Sequence, residues 1–297
     1  MMMISPLQRV MILNSNPIIV ISGILFFIVV SFFAVLGVIS AVDDIDESVF
    51  SIKTAVGDNV DVFIQDQTTE VIDYYFTRVI NTTSLTAIAI IDEQNVSVSD
   101  TAGAGIGRAI NIYDDDSFFQ GMITGVGVDN ISFNAPLDKA FSLNSIVEFA
   151  EWNMAVDGGT SSKEYSVCSV RNKQWDIVRS LFSITDNAAM DTSLFGGIPA
   201  LTNGVLLRLS DGYQKNIFVI RDNSGFAERN YDNTYSSKAP AGFYGFISRR
   251  TFGGQDKNGV VLRLNGATDD CLKIIINDDL TDLIKFAAIA QGHVVEK

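Results

Sequence analysis

VLLRLSDGYQKNIFVIR, at 205–221, is the clearest hairpin in the chain. VLLRLS (205–210) and YQKNIFVIR (213–221) are rich in residues that favour strands. Asp211-Gly212 between them suits a type I′ turn, because both central residues of that turn need positive φ. Working outward, KEYSVCSV (163–170) and WDIVRSLFSITD (175–186) read as long strands upstream. NAAMDTSLFGGIPALTNG (187–204) reads as a loop with a short helical turn near Ala188, and Asn223-Ser224-Gly225 as a second turn. Downstream, GFYGFISRRTF (242–252) and VVLRL (260–264) flank a loop ending in Asn258-Gly259, and LKIIIND (272–278) and LIKFAAIAQGHVVE (283–296) follow. Strands and turns at this spacing predict an antiparallel β-sandwich over residues 151–297, with a jelly roll as one form of it.

A similar pattern precedes it. VDVFIQD (60–66), VIDYYFTRVI (71–80) and TAIAII (86–91) are short strand-like runs. NVSVSDTAGAGIGRAINIY (95–113) reads as strand, Gly-rich turn, strand, and FFQGMITGVGVDNISFNAPLDKAF (118–141) as two strands meeting at Asp129-Asn130. Residues 60–150 are therefore expected to form a small β domain, barrel or sandwich. No stretch after residue 42 carries a 3.6-residue period over three turns, so the fold class is mainly β.

The first 42 residues differ. After a mostly apolar tail, 1–17, the run from Ile18 to Val42 has 25 residues, none charged, and 18 of them are Ile, Leu, Phe or Val. As a helix it would be roughly 37 Å long, enough to cross a hydrocarbon core of roughly 30 Å with some tilt. Insertion would be favourable by on the order of 5 kcal/mol. The run is too long for the apolar core of a signal peptide, and it lacks the polar stripe of an ordinary core helix. A membrane-type helix is expected, or one buried in a hydrophobic bundle. Gly37 and Ala41 have the small-xxx-small spacing that permits close helix approach, though ordinary membrane-helix composition accounts for it. Arg9 precedes the run, and Asp43, Asp44, Asp46 and Glu47 follow it, which places the N-terminus inside and residues 43–297 outside. Residues 43–59 read as an acidic linker.

The net charge is −14, and all 35 acids lie after residue 42. A body so acidic is unsuited to a nucleic-acid backbone, so no nucleic-acid partner is expected. The two cysteines, Cys168 and Cys271, exclude metal fingers and CxxC redox sites; a disulfide between them and two buried free thiols both remain open. The one histidine, His293, falls in a C-terminal strand and the sequence holds no GxSxG elbow, so a Ser-His-Asp triad has no support. The cluster Gly103-Ala104-Gly105-Ile106-Gly107 lacks GxGxxG spacing, and Gly253 to Gly259 lacks the GK[ST] ending of a phosphate loop; both read as turns. Asp114-Asp115-Asp116 and Asp278-Asp279 read as solvated turn acids, with a weak Ca²⁺ site as the alternative. Asn81, Asn95 and Asn130 fit the glycosylation pattern, which chance explains well in a chain of 297 residues. Arg249 and Arg250, with Arg208 and Arg263, form either a basic row on one sheet face or cross-strand partners for acids. Tyr231, Tyr235, Phe243 and Tyr244 are either exposed aromatics for contact with a glycan or another subunit, or core residues. No catalytic or cofactor-binding residue is identified, and the metal question stays open.

Several runs carry a resemblance: WDIVRSLFSITDNAAMD (175–191), LFGGIPALTNGVLLR (194–208), KNIFVIRDNSGFAERNYD (215–232), KAPAGFYGFISRRTFGGQDKNGVVLRL (238–264) and DDLTDLIKFAAIAQGHVVE (278–296). DSFFQGMITGVGVDNISFNAPLDKAF (116–141) and WNMAVDGG (152–159) extend it upstream. Residues 60–297 resemble a recurring family of uncharacterised bacteriophage proteins, common in phages of aquatic bacteria. The resemblance implies a virion component at the particle surface. The expectation is a non-enzymatic structural protein, anchored through Ile18 to Val42 in lipid or a helix bundle. It would assemble with itself and other virion proteins in capsid, vertex or tail, or contact a host receptor. A membrane-tethered receptor- or glycan-binding adhesin is the alternative, and a surface polysaccharide hydrolase comes third.

Overall fold

The computed structural model describes residues 49–53, 59–63, 70–229, 232–236, 244–252 and 262–295. The tail 1–17 and the apolar run 18–42 lie outside them, and among the described residues no helix is long and apolar enough to cross a membrane. The chain divides into two units, Met1–Thr69 and Glu70–Lys297. In the first, β1 (Val49–Lys53) and β2 (Asn59–Phe63) form an antiparallel hairpin with Val49 opposite Phe63. β1 falls inside the stretch 43–59, where Val49, Phe50 and Ile52 supply strand-favouring residues between the acids.

The second unit is built on antiparallel sheets, and it begins by splitting one sequence run. VIDYYFTRVI breaks into β3 (Val71–Tyr75) and β4 (Arg78–Ser84), which join different sheets. Phe76 between them is fully buried, and Thr77 forms a bridge with Ser166. Burial of Phe76 and the pairing of Thr77 override a continuous β propensity.

The first lobe contains β4, β5 (Asn95–Ser97), β6 (Ala109–Tyr113), β7 (Phe118–Val126), β8 (Asn130–Phe133) and β9 (Ile146–Glu151). They form one six-stranded sheet in the order β4-β9-β6-β7-β8-β5. Alternate residues turn inward, so that Ile110, Ile112, Phe119, Ile123, Val147 and Phe149 share a core. The sheet curls until its edge strands approach each other. Past the strand ends, Leu85 bridges Val98, with Ser99 N donating to Ser84 O at 3.0 Å and Thr86 N to Ser97 O at 3.0 Å. Among the described residues no sheet closes as a barrel, because that junction is one bridge and not a ladder. TAIAII makes no strand: Ala89 alone pairs, with Phe141, and Ile88, Ile90 and Ile91 face solvent.

The second lobe is sandwich-like. One sheet runs β10 (Lys163–Cys168), β19 (Cys271–Ile276), β14 (Val205–Ser210), β15 (Lys215–Ile220). The other runs β16 (Asp232–Ser236), β17 (Tyr244–Thr251), β11 (Gln174–Asp186), β20 (Lys285–Val295), β3, with β18 (Leu262–Asn265) paired to the first part of β11. β11, the long strand anticipated at 175–186, pairs along its whole length with β20. Both sheets feed one core: Tyr165, Leu207 and Ile274 from the first, Phe182, Phe246 and Phe286 from the second. Phe226, on the short helix α1 (Asn223–Arg229), packs against Phe182 at 5.6 Å and Phe246 at 5.1 Å.

Three local expectations change. The 205–221 hairpin forms, but its loop spans residues 211–214: Gly212 has φ +79° and Gln214 has φ +53°, while Asp211 does not share the left-handed conformation a type I′ turn requires. Asp211 instead accepts from Tyr213 N at 3.2 Å and pairs with Lys215 at 2.8 Å. Asn223-Ser224-Gly225 starts α1, because Asp222 caps it by accepting from Gly225 N at 2.8 Å. Near Ala188 no helical turn forms. The buried Asp186 carboxylate takes the amides of Asn187, Ala188 and Gly197, and β12 (Leu194–Phe195) and β13 (Ile198–Pro199) make a small ladder there. Of the two states open to the cysteines, the structure has the disulfide: Cys168 and Cys271 are directly opposed on β10 and β19.

Candidate functional site

The two lobes diverge from the Thr77–Ser166 bridge and leave a groove of about 570 Å³ between them. That volume lies in the range of small-molecule sites, about 300–1,000 Å³. The floor is the outer face of the first lobe's sheet. In β6, Ile110 and Ile112 point into the core, so Asn111 and Tyr113 point out. Register then lines up two rows across three strands. Glu148, Asn111 and Gln120 form a polar row; Ile146, Tyr113 and Phe118 form an apolar and aromatic row beside it.

The polar row is a connected network. Tyr113 Oη donates to Glu148 Oε1 at 2.8 Å, and Asn111 Nδ2 donates to Thr77 Oγ1 at 3.2 Å and lies 3.4 Å from Glu148 Oε2. Gln120 Nε2 donates to Asn111 Oδ1 at 3.1 Å. Gln120 also clamps the end of β3, accepting from Tyr75 N at 2.6 Å and donating to Tyr75 O at 3.1 Å. Asn111, almost completely buried, thus has partners for both ends of its amide. The aromatic row continues into the second lobe, where Phe118 meets Trp175 at 5.3 Å and Tyr74 at 4.6 Å, both edge to face. The opposite wall carries Ser166, the Cys168–Cys271 disulfide and Asp269. At one end the lobes touch again, with Asn172 N donating to Asp115 O at 2.8 Å and Asn172 Nδ2 to Asp116 Oδ1 at 2.8 Å. Outside the groove, Arg78 reaches Glu151 at 2.6 Å and Asp157 at 3.4 Å, tying β4 and β9 to the segment after them.

Burial raises the pKa of Tyr113, with the neighbouring Glu148 carboxylate adding to it. Burial and Glu70 do the same to Tyr74, and burial pushes Tyr165 up to about 12. Each folded value exceeds the unfolded one, about 10. The neutral phenols therefore favour the fold below pH ~10, and that contribution is lost as pH rises toward the folded values. In an alkaline titration followed by phenolate absorbance, only part of the 8 tyrosines should ionise near pH 10. The remainder should ionise together with the loss of far-UV circular dichroism. A single step for all of them in the folded state would contradict this assignment.

The acids singled out in the sequence serve the fold. Asp114 Oδ1 accepts from Asp116 N at 2.9 Å and Ser117 N at 2.8 Å, closing the β6–β7 turn. Asp278 collects the amides of Thr202, Asn203 and Gly204, and Asp279 binds Thr281. Among the described residues no group of three or more His, Cys, Asp or Glu is placed to hold a metal ion. His293 lies beside Asp176, Nε2 to Oδ2 3.8 Å, and its pKa is lowered by burial, against the pull of Asp176. Asp176 itself is paired in two bonds with Arg263, at 2.7 and 2.8 Å, as the cross-strand reading had it. The four arginines do not share one sheet, since Arg208 is on β14 and Arg249, Arg250 and Arg263 are on β17 and β18. Gly103 and Gly107, both at positive φ, sit in the loop between β5 and β6. Asn81 Nδ2 donates to Ala102 O at 2.7 Å, Asn95 accepts from Ser132, and Asn130 is exposed. Tyr244 is half-buried opposite Asp186, and Tyr235 falls on β16; Tyr231, Phe243 and 253–259 lie outside the described residues. Of these residues only Asp114, with its neighbour Asp115, lines the groove. The two rows on its floor escaped notice because each member is an ordinary polar, aliphatic or aromatic residue within a strand. The available signal was Asn111 inside AINIY, a polar residue on the face opposite two isoleucines.

A second surface feature lies on the first lobe. Ile88, Ile90 and Ile91 are 67, 56 and 55% exposed, and Leu143 is 52% exposed. Reciprocal bonds between Ala89 and Phe141 hold the two runs side by side, so these side chains share one end of the lobe.

Comparison of the chain with protein-family models, with curated proteins and with solved structures finds no match.

Proposed function

We propose that the chain is a non-enzymatic structural protein of a bacteriophage particle, whose β body works by contact. The observation that carries this reading is the apolar end of the first lobe. Four large aliphatic side chains on two adjacent runs face water there, in a protein whose net charge of −14 repels its own copies elsewhere. Such a patch suits burial against a second copy or another virion protein. The resemblance of residues 60–297 to phage proteins points the same way. The uncharged run from Ile18 to Val42 is the anchor, in lipid or in a bundle of sister helices. The N-terminus would lie inside and residues 43–297 outside. The groove carboxylates favour binding over hydrolysis, since Glu148 is held by Tyr113 and Asn111, and Asp114 by its own turn. The groove also supports the second reading, a tethered receptor or glycan binder.

Quantitative mass spectrometry of purified particles tests the first reading. A fixed copy number per particle is expected. Ile88→Asp with Leu143→Asp should lower incorporation about tenfold or more while leaving the melting temperature nearly unchanged, because both positions are exposed. A chain absent from purified particles would end this reading.

A further inference from the structure

We infer that the groove between the lobes is a binding site for a neutral saccharide, with the pyranose ring lying on the Tyr113–Phe118 row and its hydroxyls directed to the Glu148–Asn111 row. The inference rests on the reading of the β body as a contact module.

Three observations lead to it. First, the two rows are successive same-face rungs of the same three strands, so an apolar strip about 7 Å wide runs beside a polar strip of like width. A sugar ring has the same division, with C–H groups on its faces and hydroxyls around its edge. Second, the polar row is ordered before any ligand arrives. Tyr113 and Asn111 fix the Glu148 carboxylate, yet a carboxylate accepts about four hydrogen bonds and these two partners leave acceptor capacity for hydroxyl donors. Preorganised acceptors beside aromatic rings lower the ordering cost of binding. Third, the charge selects the ligand. Asp114, Asp115, Glu148 and Asp269 line the groove against Arg171, within a body that is itself acidic. Phosphates, sulfated sugars and uronic acids are disfavoured there, while uncharged hexoses and N-acetylhexosamines are not.

The test uses the full chain in detergent against an array of neutral oligosaccharides, including maltohexaose and chitotetraose, with sulfated and uronic-acid oligomers beside them. At least one neutral oligomer should bind, about tenfold or more tighter than its anionic counterparts. Glu148→Gln, which keeps the shape of the side chain, and Phe118→Leu, which removes the ring while keeping an apolar side chain, should each weaken binding about tenfold. Tyr213→Ala, on the exposed β14–β15 loop, should leave it unchanged. Absence of binding across the neutral set, equal binding of anionic oligomers, or unchanged affinity in both groove variants would overturn the inference. If the chain is present in particles but binds no saccharide, this inference fails and the structural role stands. Release of shortened sugar would instead overturn the non-enzymatic reading.

Discussion

Gly292→Ala should lower the stability of the second lobe by at least about 3 kcal/mol, a fall in melting temperature of about 6–12 °C for a body of this size. Gly292 lies in β20 between β11 and β3, opposite Ile177 and Ile72. A Cβ there would sit 1.9 Å from the carbonyl oxygen of Asp176 and 2.8 Å from its carbonyl carbon. Those are backbone atoms of the lobe's central strand, and no side chain can rotate away to make room. β11 already bulges between Ile177 and Arg179, where Val178 O accepts from Phe252 N at 2.8 Å. Displacing Asp176 would also disturb its buried carboxylate and the two bonds to Arg263. Gly125→Ala is the matched control. Its Cβ would meet only the Ser132 side chain, at 3.4 Å. There the smaller conformational freedom of the unfolded chain should leave stability within about 1 kcal/mol of the parent. Guanidinium unfolding followed by tryptophan fluorescence compares the two, and equal midpoints would refute the close approach at Gly292.

Removing the Cys168–Cys271 disulfide should cost about 2–5 kcal/mol. The bond joins residues 103 apart in sequence, and closing a loop of that length in the unfolded chain is worth about 4–5 kcal/mol on loop entropy alone. In the folded state it adds little new contact, because β10 and β19 are already paired from Lys163–Ile276 through Cys168–Cys271. Cys168→Ser with Cys271→Ser should therefore keep the parent's circular dichroism while its urea midpoint falls. Reductant should destabilise the parent and leave the double variant unaffected. If reductant frees both thiols without moving the parent's midpoint, the loop-closure account is wrong.

The strands themselves were largely legible. VLLRLS, WDIVRSLFSITD and LIKFAAIAQGHVVE each became β14, β11 and β20 nearly residue for residue, because long runs of β-branched and aromatic residues have few alternatives. Partnership was harder to read. VIDYYFTRVI has a uniform strand composition, yet β3 completes one sheet and β4 another, and only the burial of Phe76 marks the division. TAIAII has the same strand-like composition yet forms no ladder: its backbone bonds to distant segments are those of Thr86 to Ser97 and of Ala89 with Phe141. The Asp211-Gly212 turn lengthened since the Asp211 carboxylate bonds to Tyr213 and Lys215, a choice open only once those groups are placed. The groove could not be read from spacing at all. Glu148, Asn111 and Gln120 are 37 and 9 residues apart, and register alone sets them side by side.

Composition and periodicity decided the mainly β character, the acidic surface and the apolar run ahead of it, since burial preference and charge belong to each residue alone. Which strand meets which, whether two thiols join, and where two lobes leave space between them were decided only by folding. Those outcomes depend on contacts between residues far apart in the chain, and local preference does not encode them.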